Sequence, residues 1–220
     1  MPISRTMSDV HFYEPAKGHG LAHDPLKAIV APRPIGWMST VDAAGAVNLA
    51  PYSFFNLFST EPPILGFAGE KLSDTIVNAR ETGEFVFNMV SGALGPRMSA
   101  TSYAWPHGVS EMEKAGIPAA PSRLVAAPRV AASPASFECK VLQVIPLVTL
   151  DGGATNSHLV LGQVVGVHIG RAFLKDGVFD TAAARPLARC GSWGDYALVS
   201  ELIRMRRPRN ENEAVMPERG

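Results

Sequence analysis

The hydroxyls and amides of Ser39, Thr40, Asn48, Ser53 and Asn56 fall in one stretch, residues 33–56, which also carries Trp37, Tyr52, Phe54 and Phe55. Such groups exchange hydrogen bonds with a ligand's polar edge, while aromatic faces cover its flat apolar part. Further on, Ser73-Asp74-Thr75 opens a helical pattern whose first-turn N–H groups would seat an anion. This is binding chemistry more than nucleophilic chemistry. The chain has no GxSxG elbow, no GxxxxGKS/T loop, no HExxH pair and no GxGxxG after a strand.

The elements that must position these groups are strands. Ile35, Trp37, Ser39 and Val41 alternate with Gly36, Met38 and Thr40, the two-residue period of a strand. Asp42-Ala43-Ala44-Gly45 is a hairpin turn, residues 46–50 return, and Pro51, with no N–H, ends regular pairing. After the break at Glu61-Pro62-Pro63, residues 64–68 read as a short strand buried on both faces. A helix capped by Ser73 or Asp74 runs to about Thr82 and stops at Gly83, and residues 84–90 alternate again. Residues 91–116 are irregular, with a capping-box pattern at Ser110-Glu111-Met112-Glu113. Strands over residues 135–145, 158–169 and 173–179 complete the set. Many strands, few helices and no regular strand–helix alternation predict a mainly β fold with peripheral helices, a closed or nearly closed antiparallel barrel.

At 220 residues one domain is expected, over residues 21–200, between a loose arm at 1–20 and a mobile charged tail at 201–220. Lys+Arg and Asp+Glu number 20 each, so no basic excess draws the chain to nucleic acid or an anionic membrane. Cys139 and Cys190 are too few for a disulfide framework, and with no secretion signal or apolar span they suggest a soluble protein of the reducing cytoplasm. His11, His19 and His23 do not have the spacing of a compact metal site.

Four segments, RPIGWMST, NLAPYSFFN, EPPILGF and SDTIVNARETGEFVFN, resemble in order and spacing the flavin reductase-like, FMN-binding split-barrel family. The similarity runs from about Leu21 to Tyr196. It implies FMN as cofactor, NADH or NADPH as co-substrate, a homodimer, and an oxygenase or other acceptor for the reduced flavin. It implies a phosphate grip from Ser39, Thr40 and Ser53 with Ser73, Thr75 and Lys71. Asn48, Ala50, Pro51, Tyr52 and Asn56 would meet the flavin's pyrimidine edge, Trp37 and Tyr52 would wall the ring, and Arg189 would reach an anionic group. The chain departs from the family in one place: Ser73 stands where a lysine is common. From the residues alone, other roles stay open. Ser73 also reads as a helix cap, Trp37 as core, Arg189 as half of a surface ion pair, and His158 ranks above His168 as a substrate-side group. An FMN-dependent oxidase of an organic substrate and a non-catalytic flat-ligand carrier are the alternative functions.

Overall fold

The computed structural model describes residues 9–191, 194–210 and 214. Helix α1 (Leu26–Ile29) precedes β1 (Arg33–Pro34), β2 (Gly36–Val41), β3 (Val47–Tyr52), β4 (Phe54–Thr60) and β5 (Pro63–Glu70). Then come α2 (Asp74–Thr82), β6 (Glu84–Met89), α3 (Gly95–Ala100), α4 (Glu111–Lys114), β7 (Ala119–Ala120) and β8 (Arg129–Val130). Two long strands follow, β9 (Ala135–Val148) and β10 (Ala154–Ile169), and then β11 (Leu174–Lys175), β12 (Val178–Phe179), α5 (Thr181–Ala184), β13 (Leu187–Cys190) and β14 (Asp195–Leu198).

The local signals act as read. Asp42 Oδ1 accepts the N–H groups of Ala44 and Ala46, both at 2.8 Å, and so sets the β2–β3 turn. Gly83 ends α2 at φ 73°, a conformation without strain only for a residue lacking Cβ, and returns its N–H to Ala79 O. The alternation of β2 is real, but both of its faces are buried. Met38 joins Phe67, Phe85 and Phe87 in the main core, while Ile35 and Trp37 join Leu49, Met98 and Met112 in a second core under α3 and α4.

The main sheet is antiparallel, in the order β3-β2-β6-β9-β10-β5-β4. Its two edges, β3 and β4, are consecutive in the chain and joined through Ser53 alone. The sheet curls until edge meets middle: Phe55 of β4 stacks on Phe87 of β6, ring centroids 4.7 Å apart. Gly36 permits that approach, since a Cβ there would lie 2.7 Å from the Phe55 ring. No ladder joins β3 to β4 among the described residues, so the barrel is split and open where a closed one was one of the two expectations. A three-stranded sheet, β1-β13-β14, stands beside the opening.

Two stretches differ from the sequence reading. Residues 54–60 form a strand that the sequence did not announce, and residues 173–179 give only the two-residue strands β11 and β12. Residues 9–20 are mostly exposed around one 3-10 turn at Pro15–Lys17, and residues 201–210 are exposed without regular structure. The rest of the expected arm and tail, residues 1–8, 211–213 and 215–220, lies outside the described residues. Cys139 and Cys190 are free thiols; burial pushes the Cys139 thiol well up. No helix among the described residues is long and apolar enough to cross a membrane.

Candidate functional site

A groove of about 540 Å³ follows the open edge of β3. Ala50, Pro51, Tyr52 and Ser53 line it along the strand, the end of β5 (Ala68, Gly69, Glu70) and the start of α2 close one side, and residues 101–105 with Glu111 form its roof. The edge is open for a reason legible in its hydrogen bonds. Leu49 N–H points away from β2 and donates to Glu111 Oε2 at 2.9 Å. Peptide groups two residues apart on a strand face the same way, so Pro51, the residue with no N–H to offer, faces that edge too. Pro51 therefore stays in the ladder opposite Trp37, and β3 runs on to Tyr52 instead of stopping at Ala50.

The start of α2 contributes the polar end. Ser73 occupies the N-cap position, yet its hydroxyl makes no cap bond and lies 2.7 Å from the Tyr52 hydroxyl. The first-turn N–H groups of α2 are thus left for another acceptor. Thr75 Oγ1 accepts from Asn48 Nδ2 at 2.8 Å, fixing both side chains at the groove wall. Asp74 is engaged by His107 at 3.1 Å, and the same imidazole lies 3.8 Å from Asp42, so the roof is tied to α2 and to the hairpin turn. Burial raises the Glu111 carboxyl above the ordinary carboxylate range despite its bond from Leu49, with Asp74 nearby adding to it. Burial likewise raises the Tyr52 phenol, whose ring packs 4.8 Å from Phe67.

Residues 30–187 match the model of the flavin reductase like domain. The chain belongs to the flavin reductase-like family. It is 36% identical over 169 residues to an uncharacterized protein of Aquifex aeolicus, covering 74% of this chain and 83% of the relative. Among solved structures, nitrilotriacetate monooxygenase component B from Bacillus cereus superposes with a TM-score of 0.78 at 24% identity, over 93% of this chain and 99% of that one. The 2-nitrobenzoate 2-nitroreductase NbaA of Pseudomonas fluorescens does so at 0.75 and 26% identity, over 89% and 92%. The split barrel is the fold of this flavin reductase-like chain.

The groove of this flavin reductase-like chain fits the family's ligand class. Its size suits a small cofactor, and it brings together an unpaired strand edge, hydroxyls beside a helix start, and aromatic surface. The aromatic surface is Tyr103 and Trp105, 65% and 37% exposed, packed edge to face at 4.9 Å, with Lys114 over the Trp105 ring.

Of the residues expected from sequence, Asn48, Ala50, Pro51, Tyr52, Ser53, Ser73 and Thr75 line the groove together. Five others do not. Trp37 is fully buried in the second core, its Nε1 donating to Thr101 Oγ1 at 2.9 Å, because the face it occupies on β2 is covered by α3 and α4. Ser39 is fully buried on that same face, donating to Pro128 O and accepting from Asn88 Nδ2. Thr40 is buried towards α2, accepting from Asn78 Nδ2 at 3.2 Å. Asn56 is exposed on β4 and bonds its neighbour's N–H, and Lys71 is exposed with its backbone held by Asn156 O. Arg189 lies at an adjoining annex, its NH1 donating to Tyr196 OH at 2.8 Å. Ser192 and Trp193, which follow Arg189 closely in the chain, lie outside the described residues.

Lys27, residues 68–70, residues 101–105 and Glu111 are groove residues that the sequence reading missed. Nothing local marks Lys27, which sits on a four-residue helix. The acidic residues at 111 and 113 carried only a capping signal, and Ser110 makes no side-chain cap. A second depression, about 650 Å³, lies over Glu138 and His168. Its central carboxylate is already engaged: Glu138 accepts the N–H groups of Arg123, Leu124 and Val125 and lies 2.5 Å from His168 Nε2. That is structural chemistry. His158 lines neither cavity and keeps Nδ1 buried without a partner. Among the described residues, no group of three or more His, Cys, Asp or Glu side chains is placed to hold a metal ion.

Proposed function

We propose that this protein is an FMN-dependent oxidoreductase whose flavin is reduced by NADH or NADPH. The observation that supports it best is convergence: the open edge of β3, the uncapped first turn of α2 and the exposed rings of Tyr103 and Trp105 meet in one groove. In this reading the edge carbonyl of Pro51 meets the pyrimidine side of the ring system, and the α2 N–H groups with the hydroxyls of Ser73 and Thr75 hold the phosphate. Bound flavin supplies the electron and hydride chemistry, which is why binding and orienting groups suffice. The reduced flavin serves an oxygenase partner or another acceptor, and the cytoplasm supplies the nicotinamide.

The test is a visible spectrum of the protein loaded with FMN and freed of excess, followed by NADH and then NADPH without oxygen. The expected result is a retained flavin band that bleaches faster than free FMN does. Retained flavin that neither nucleotide bleaches sinks the reductase and favours an oxidase or a carrier; no retention sinks the flavin reading itself.

The same proposal makes the protein a homodimer. Phe54, Leu57 and Phe58 on edge strand β4 are 44%, 49% and 59% exposed, apolar surface on a sheet edge that asks for a cover. Sedimentation should give a dimer for the natural chain and a monomer for Phe58→Glu, because a charge buried in such an interface finds no partner. A monomeric natural chain at micromolar concentration ends the dimer reading.

A further inference from the structure

Beyond Ser53 the groove opens into an annex of about 350 Å³ that shares Lys27, Pro51, Ser53, Phe54 and Ser102 with it. Lys27, Arg33 and Arg189 supply its charge, and no acidic residue lines it. Arg33 is 6% exposed. Its NH1 donates to the carbonyls of Lys27 and Val30, its NH2 to Gly191 O at 3.2 Å, and its Nε is buried without a partner. Carbonyls offset part of a buried cation's lost hydration, but no carboxylate pairs with Arg33 among the described residues.

The neighbours add charge of the same sign. Arg33 stands directly opposite Arg189 in the β1–β13 ladder, a like-charge cross-strand pair that is unfavourable by itself. Arg189 is held over the Tyr196 ring, 4.8 Å from its centroid. The Lys27 ammonium has only the Phe54 ring, 6.0 Å away, with no hydrogen bond or ion pair among the described residues. Lys27 and the buried, incompletely bonded Arg33, with the Arg189 guanidinium beside them, gather positive charge at the end of a ligand groove, a place that suits an anion.

We infer that this annex binds the oxyanion, phosphate or carboxylate, of the ligand that meets the flavin, and not the flavin's own phosphate. The inference rests on the proposed flavin groove. The flavin phosphate is assigned elsewhere, since neither Ser73 nor Thr75 touches the annex. Two sources share this chemistry: the pyrophosphate of a nicotinamide dinucleotide, and the carboxylate of an organic substrate.

The experiment uses the full chain free of flavin, so it does not depend on turnover. Inorganic pyrophosphate and benzoate are titrated calorimetrically into the natural protein and into Lys27→Met, and FMN is titrated into both. Lys27→Glu serves as a second variant, and the circular dichroism of both is compared with the natural chain. At least one anion should bind, about tenfold more weakly in Lys27→Met and more weakly still in Lys27→Glu, while FMN affinity, Lys27 also standing at the groove's edge, falls by clearly less than the anion's. Preference for pyrophosphate assigns the dinucleotide as source, and preference for benzoate assigns an organic acid. No binding of either anion, or equal binding in all three proteins, overturns the inference. A parallel loss of FMN affinity overturns it too, because the annex would then hold the flavin's phosphate.

Discussion

Exchanging Thr75 for valine will weaken FMN binding by about tenfold to a hundredfold, while Ser39→Ala will leave it within about twofold of the natural protein. Thr75 lines the groove at the first turn of α2, where its Oγ1 accepts from Asn48 Nδ2 at 2.8 Å. Valine keeps the volume and removes the group that would meet a phosphate oxygen. A hydrogen bond to a charged group is worth roughly 1.5–3 kcal/mol, which sets the size of the effect. Ser39 carries the same chemical group and lies closer in sequence to the aromatic cluster, but it is fully buried against Pro128 and Asn88. Its loss should cost stability of about 1 kcal/mol and no flavin. Fluorescence quenching of FMN on titration with each variant checks both arms. Equal weakening by the two substitutions would mean that the groove has been assigned to the wrong face of β2.

The largest effect on stability is expected at Glu138. The side chain is fully buried on β9, accepts three backbone N–H groups from residues 123–125, and is bonded to His168. It is the clamp that holds the irregular connection of residues 121–134 onto the sheet. Burial alone would raise its carboxyl; the bonds from His168 and the backbone outweigh that and hold it down from 4.5 to about 2. Glu138→Gln keeps the shape but aims an amide N–H₂ at donors, and should destabilise the fold by roughly 3–5 kcal/mol, as one-sided disruption of a buried charged pair does. For a chain of this length that is a fall in Tm of about 10 °C.

The pH dependence of the same group has a definite sign. The folded carboxyl titrates below the unfolded one, so between about pH 4.5 and pH 2 the unfolded chain takes up the proton first. The stabilisation from Glu138 is complete above the unfolded value and is lost as pH falls through that window. Denaturation midpoints from pH 7 to pH 2.5 should fall more steeply for the natural protein than for Glu138→Gln. Parallel curves would show that the carboxylate is not the clamp.

How far the sequence could be read depended on whether the deciding contact was local. The β2–β3 turn was legible because Asp42 needs only the next four residues to satisfy it. The span of α2 was legible because Gly83 alone supplies its left-handed stop. Of the groove wall, Asn48, Tyr52, Ser53, Ser73 and Thr75 were marked by their own residue types, while Ala50 and Pro51 entered through the family resemblance of their segment. The roles of Trp37 and Ser39 were not. Alternation separates two faces of a strand without saying which is covered, and β2 turned out to be buried on both.

The sequence by itself determined the class of the fold, the strand periods and the helix with its stop, all of which follow from neighbours a few residues apart; the wall of the groove was marked by hydroxyls and rings whose role came from the family resemblance. Only the tertiary structure decided which edge of β3 stays open, because that required Glu111, 62 residues away, to take the Leu49 N–H. Only packing placed the Tyr103 and Trp105 rings over the groove and brought Lys27, Arg33 and Arg189 to one annex. A cation's position against a ligand is set by long-range strand pairing, here β1 on β13 across more than half the chain, and no local pattern of residues encodes that distance.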